Sequence, residues 1–215
     1  MHAGTTTRAT STTSFLHALG PALVLLFAAV CVTVADQPAP PSSASDREAF
    51  LVGRGKDCQG CDLRAAKLKR RDLSGAQLEG AVMTQVRMAH SRLTRAVLRG
   101  ADLSLSTMMD AEMAGSDLSH ASLKQSNLNG ANLNRCDFSA AVLDGAGFVR
   151  ARLKDAKLRG VSARQADFYE ANLSGSDLTN ADFRGSRLQQ ADLDGAVTEG
   201  IKTKGALLVD GTIGQ

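Results

Sequence analysis

The sequence predicts an all-β solenoid: a chain that turns a corner every five residues and winds about an apolar axis. Three observations carry that expectation. From Leu63 to Leu193 an apolar residue sits at every fifth position, and only Ala163 breaks the series of large groups. A second series, two positions ahead of the first, is small throughout most of its length, as at Ala66, Ala76, Ala81, Ser91, Ala96, Ala101, Ser106 and Ala111. Glycine recurs two positions after the large residue, from Gly75 and Gly80 through Gly100, Gly115 and Gly130 to Gly195.

A period of five excludes both a helix and a long straight strand. On an α-helix five residues advance about 500°, roughly 140° past a full turn, so the leucines would spiral round the rod and form no stripe. On a straight strand an odd spacing would send alternate leucines to opposite faces. A corner in every unit restores one orientation, with the leucine and the residue two before it both pointing inward. The interior is narrow, because one inward slot is large and the other small.

Taken in chain order, the first segment is residues 1–35. Between Arg8 and Asp36 there is no formal charge, and Ala22 to Val34 is nearly continuous apolar sequence, preceded by a Thr/Ser-rich start and followed by Val34-Ala35-Asp36. This is the pattern of a secretory signal, cleaved ahead of Asp36, and it places the mature chain in the periplasm or outside the cell. Two other readings share the consequence of export. Phe15 to Ala35 is long enough for an uncleaved anchor that would hold the solenoid outside the cytosol, and the acid-free start also fits organelle import to a thylakoid lumen. A lipoprotein signal is disfavoured by Val30 ahead of Cys31.

Residues 36–44, with Pro38, Pro40 and Pro41 among Ser and Ala, read as an extended disordered linker. Residues 45–60 read as an N-terminal cap: Ser45-Asp46-Arg47-Glu48 has the form of a capping box, followed by Ala49, Phe50, Leu51 and Val52, with Gly53 as the stop of a short helix over the first coil. Such a lid is needed because a terminal coil exposes unpaired backbone.

The solenoid spans residues 61–200. Tracts such as Gly130-Ala131-Asn132-Leu133-Asn134 and Ser176-Asp177-Leu178-Thr179-Asn180 resemble the pentapeptide-repeat family, whose consensus is A(D/N)LXX. The resemblance implies a right-handed, four-sided parallel β-helix with four pentapeptides per coil, so that residues twenty apart stack. At a strand spacing of about 4.8 Å the rod would be on the order of 32 Å long. Phe148 and Phe168 should then lie on one another between Leu128 and Leu188, and the volume missing at Ala163 should be taken up by Phe183 leaning across or left as a small void. Arg71, the one large charge in the small series, should leave through the open end of the first coil. Residues 201–215 keep a weakened phase (Thr203, Leu208, Ile213) and read as a degenerate coil that acts as its own lid.

The formal net charge is +3, or +2 without Arg8, and four cysteines are present. Cys58 and Cys61 form a lone CxxC at the first coil. In an exported chain they read as a disulfide, with free thiols or a metal or redox role as alternatives. Cys136 fills a small inward slot. The mature chain holds only His90 and His120, each at a corner, and the aspartates are explained by the outward slot of the repeat, so no catalytic residue, cofactor or metal site is expected.

Two surface features remain. A basic cluster at Lys67, Lys69, Arg70 and Arg71, extended by Lys56, Arg64, Arg87, Arg92, Arg95 and Arg99, suits anionic lipid, a cell-wall polyanion or an acidic partner; its alternative reading is a solvated end that prevents edge pairing of coils. Met109, Val149 and Tyr169 share one outward column and form a candidate protein contact, including a homodimer contact. The sequence therefore points to a non-catalytic, exported structural or protein-interaction module, with polyanion or membrane-surface binding as the alternative. DNA-mimicking inhibition of topoisomerases, which the resemblance also brings into view, would need an acidic surface that this chain lacks, and nucleic acid is disfavoured as a partner.

Overall fold

A computed structural model describes residues 43–215, so the expected signal at 1–35, Cys31 and all of the linker except Ser43 and Ala44 lie outside the described residues. From Asp57 to Leu207 the chain repeats one five-residue motif. Each wall is held at its centre by a single parallel bridge to the wall twenty residues on, as in Asp62↔Val82↔Asp102 on the first face and Lys67↔Arg87↔Thr107 on the second. The third face carries Asp72↔Arg92↔Glu112 and the fourth Gln77↔Val97↔Asp117, so four walls close one coil. Leu63 donates its N–H to Val82 O at 2.8 Å, and Val82 returns its own to Cys61 O at 2.9 Å.

The corner is a four-residue turn: the Ala66 N–H reaches back to Leu63 O at 3.0 Å, and the residue between, Ala65, has φ +54°. One positive φ at the third position is the requirement of a type II turn, and glycine meets it without a Cβ penalty. Yet 17 non-glycine residues among those described hold the left-handed conformation, all at this corner, with φ between +52° and +60°.

Both inward series are buried. Leu63, Leu103, Leu123 and Leu143 are 0% exposed, as are Ala76, Ala81 and Ala101 from the small slot. Phe148 and Phe168 stack with ring centroids 4.7 Å apart and planes 1° from parallel. Two further rings join them. Phe138, ten residues and therefore half a coil before Phe148, meets it edge-on across the tube at 6.3 Å, and Phe183 lies tilted against Phe168 at 5.1 Å. Ala163 is fully buried, and its own unit carries Val161 in the slot that is most often Ala or Ser.

The N-terminal end differs from the sequence reading in its start. Helix α1 spans Ala44–Leu51 and is capped by Ser43, not by Ser45. The stretch holds two overlapping Ser-x-x-acid patterns, and the chain uses the earlier one. Asp46 N–H bonds the Ser43 hydroxyl at 3.3 Å while its carboxylate accepts the Ser43 N–H at 2.8 Å. Ala44 thus belongs to the cap and not to the linker. Phe50, fully buried, plugs the core from α1.

Arg71 stays at this end and finds a specific role. Its guanidinium donates to Phe50 O at 2.9 Å and Leu51 O at 2.8 Å and lies 5.8 Å from the Phe50 ring centroid. It satisfies carbonyls that the last turn of a helix leaves unpaired. At the other end the chain turns back on itself, with an antiparallel Leu207↔Ile213 bridge and a Gly214 N–H to Ala206 O bond of 2.8 Å.

Candidate interaction surface

With both inward slots filled, chemistry is confined to the bridge residue, the residue after the leucine, and the corner. Aspartate or asparagine at the bridge position also braces the corner beside it: Asp117, Asp137 and Asp167 accept the N–H two residues on at 2.9 to 3.0 Å. This Asx-turn geometry explains the polar slot of the repeat.

Charged side chains mostly pair from coil to coil. Arg92 approaches Asp72 at 3.8 Å, Arg99 approaches Asp117 at 3.6 Å, and Lys157 bonds Asp137 at 3.2 Å. The most buried ion-pair cluster among the described residues centres on Asp182, only 7% exposed, with Arg164 and Arg184 each at 2.7 Å. The Arg184 hydrogen bonds, aided by Arg164, hold its carboxyl well below the usual carboxylate range. Arg64 holds the exposed Asp62 carboxyl down at about 2.

The basic cluster separates into distinct environments. Arg71 is committed to α1, Lys56 donates to Ser74 O at 2.8 Å, and Arg64 pairs with Asp62. Lys67, Lys69 and Arg70 lie together on the second face and its corner, with Arg87 directly above Lys67 through the bridge that joins them. Residues 81–100 contain Arg87, Arg92, Arg95 and Arg99 and no acid, whereas 101–120 contain Asp102, Asp110, Glu112 and Asp117 and no Lys or Arg.

Met109, Val149 and Tyr169 also stand on the second face. Met109 is 39% exposed, and Val149 and Tyr169 are half-buried. The column is less apolar than its composition. Asn129, between Met109 and Val149, accepts the Val149 N–H at 3.0 Å, and the Arg187 guanidinium covers the Tyr169 ring at 4.2 Å. A hydrogen bond to Glu170 raises the Tyr169 phenol above its ordinary value.

Cys58 and Cys61 form a disulfide, both buried beside the first coil, with Cα atoms 5.2 Å apart. Cys136 is free, and burial pushes its thiol up to about 11 while it donates to Met113 O at 3.0 Å. His90 and His120 occupy exposed corners, His90 being 3.7 Å from the Asp110 carboxylate. Among the described residues no cluster of His, Cys, Asp and Glu has the arrangement of a metal site, and no helix is long and apolar enough to cross a membrane.

The Pentapeptide repeats profile matches this chain in eight copies, with matched segments running from 57–95 and 72–108 to 146–185 and 164–197. The chain belongs to the pentapeptide-repeat family. Pentapeptide-repeat proteins fold as right-handed quadrilateral β-helices and are repeat scaffolds, generally not enzymes. Among solved structures, this pentapeptide-repeat chain is similar to HetL, a protein involved in heterocyst differentiation regulation in the cyanobacterium Nostoc sp. strain PCC 7120, at 23% identity over 80% of this chain and 99% of that one, TM-score 0.38. It is similar to trypsin-treated QnrB1, a plasmid-mediated fluoroquinolone resistance protein, at 19% identity over 67% of this chain and 83% of that one, TM-score 0.39. A pentapeptide-repeat protein of the Arabidopsis thaliana thylakoid lumen aligns at 23% identity over 53% of this chain and 69% of that one, TM-score 0.23. No curated protein matches its sequence.

Proposed function

We propose that this pentapeptide-repeat protein is an exported, non-catalytic scaffold whose flat faces present fixed columns of side chains to a protein partner. The observation that carries the reading is the register of twenty. Each outward column is held by backbone hydrogen bonds to the coils on both sides, as Leu128 N–H to Gly147 O at 2.8 Å and Gly147 N–H to Ser126 O at 2.9 Å, so the surface is pre-organised before binding. Helix α1, with Phe50 and Arg71, serves as the N-terminal lid, and the 207–213 fold-back covers part of the other end. The second face, with Met109 exposed and Val149 and Tyr169 beyond Asn129 in the same column, is the proposed contact.

The test is association of purified protein with itself and with an extract of its native compartment. Met109→Ser, Val149→Ser and Tyr169→Ser together should abolish a capture that the unaltered chain supports. Capture that survives all three changes would remove this face from the reading.

A second reading, polyanion or membrane-surface binding, is favoured by one observation: Lys67 and Arg87 stack directly on one another with Lys69 and Arg70 beside them. Like charges at opposed positions destabilise a sheet, and an anion held between them would relieve that repulsion. Retention on anionic vesicles should fall when Lys67, Lys69 and Arg70 become Ala. The DNA-mimic alternative receives no support from the surface, where a cationic coil adjoins an acidic one instead of a continuous acidic face.

A further inference from the structure

The geometry points to a second, separate anion site: a notch on the third face that takes an elongated oxyanion, of the phosphate or sulfate class, between Arg95, Arg135 and Lys154. Its floor is Ala114 and Gly115, where the third coil places almost no side chain while the coils on both sides place long cationic ones. Thr94, Asn134 and Asp155 complete the lining of a cavity of about 450 Å³. The four rows from Thr94 to Lys154 span about 14 Å at the coil spacing. That length and volume exceed one oxyanion and suit a short oligoanion.

The charges in the notch are in excess and available. Among the described residues Arg95 and Lys154 make no ion pair, and Arg135 meets Asp155 only at 3.8 Å, so three cations face one carboxylate. The Arg95 stem already lies along the floor, its Cγ 3.8 Å from where a Gly115 Cβ would stand. Donors of the right kind surround the space: two guanidinium forks, an ammonium and the Thr94 hydroxyl. Asn134 has its amide oxygen engaged by the Lys154 N–H at 3.0 Å, which leaves its NH₂ group as a further donor. The nearest other acid on this face, Glu112, is answered by Arg152 at 3.7 Å and Asn132 at 2.7 Å. Guanidinium groups bind phosphate and sulfate oxygens in bidentate fashion. No aromatic side chain lines the notch, so it offers no platform for stacked bases, which separates this ligand class from single-stranded nucleic acid.

The inference shares only the sign of the ligand's charge with the second reading above, since Lys67, Lys69 and Arg70 lie on the second face and its corner. Its test is calorimetric titration of the full chain with inorganic tripolyphosphate and, separately, with a sulfated disaccharide. Arg95→Ala with Lys154→Ala should weaken binding at least tenfold. Ala114→Leu fills the floor and leaves every charge in place; it should weaken binding by a similar factor with unchanged circular dichroism. Replacement of Lys67, Lys69 and Arg70 by Ala should leave it within twofold. Binding of either probe with this pattern supports the site and names its oxyanion. Absence of binding to both, full retention in Ala114→Leu, or an equal loss in the second-face triple variant overturns it, and the last result would leave the second reading standing.

Discussion

The Phe148–Phe168 stack offers the sharpest measure of how the narrow interior is held. Leucine is the residue that stands in the same column one coil away on each side, at Leu128 and Leu188, so the tube accepts Phe148→Leu and Phe168→Leu without a change of architecture. Each substitution removes the same near-parallel contact, 4.7 Å between centroids. An aromatic pair in such geometry contributes about 0.5–1.5 kcal/mol beyond the area it buries. Each single variant also loses a second ring contact, Phe148 the edge of Phe138 at 6.3 Å and Phe168 the tilted Phe183 at 5.1 Å, and leaves some unfilled volume. The expected cost is about 1.5–3 kcal/mol for each. In the double variant the stack is lost once, not twice, so the combined cost should fall short of the sum by about 1 kcal/mol. Equilibrium urea denaturation of the four proteins gives that coupling, provided the denaturant dependence stays constant through the cycle. A coupling within about 0.3 kcal/mol of zero would refute the reasoning, because independent sites add to within that margin.

Asp182→Asn should destabilise the rod by about 1–2 kcal/mol, since it leaves Arg164 and Arg184 without the carboxylate that both contact. Because the native carboxyl lies below its ordinary value of 3.8, its contribution is complete above that pH and is lost as pH falls through the lowered native value. Thermal unfolding followed from pH 7 to pH 2 should therefore show a steeper acid loss for the unaltered chain than for the Asn variant. Thiol titration of the full chain without reductant should find Cys136 silent while folded and reactive once unfolded, with only Cys31 and Cys136 counted in the unfolded state; four thiols would rule out the Cys58–Cys61 disulfide.

The parts legible in the sequence are those that each five-residue unit determines locally. An inward leucine, a small partner two residues earlier and a corner two residues later follow from strand alternation and turn sterics, and each recurs often enough to fix the phase. Contacts between units need the coil geometry. Phe138 and Phe148 meet because ten residues is half a coil, an offset as readable as twenty once four walls are assumed. Arg71 is visible as an anomaly, but its partners belong to a helix whose start depends on a choice between Ser43 and Ser45. The notch on the third face is hidden for a different reason. Its floor is Ala114 and Gly115, ordinary repeat residues, and only the rows above and below turn their small size into a cavity.

The corners connect local strain to surface chemistry. A left-handed conformation costs an ordinary residue roughly 1–2 kcal/mol, a cost that glycine escapes. Gly100 has φ +63° with open space where a Cβ would stand, so glycine there is a relaxed solution, available in principle at many corners. The chain nevertheless places His90, Asp110, Arg95, Arg135, Asp155, Arg150 and Glu170 in the same conformation. Several of them face each other one coil apart, as His90 with Asp110, Arg135 with Asp155, and Arg150 with Glu170. Exposed pairs of this kind contribute about 0–1 kcal/mol, which does not offset two strained corners. Stability therefore does not account for long charged side chains at these positions. Ala65, Leu105 and Ala140 take the same conformation without charge, so strain alone does not call for charge; where Arg95 and Arg135 bracket Gly115, the proposed oxyanion site supplies a use for it, two strained arginines flanking a relaxed glycine across the space that the ligand would fill.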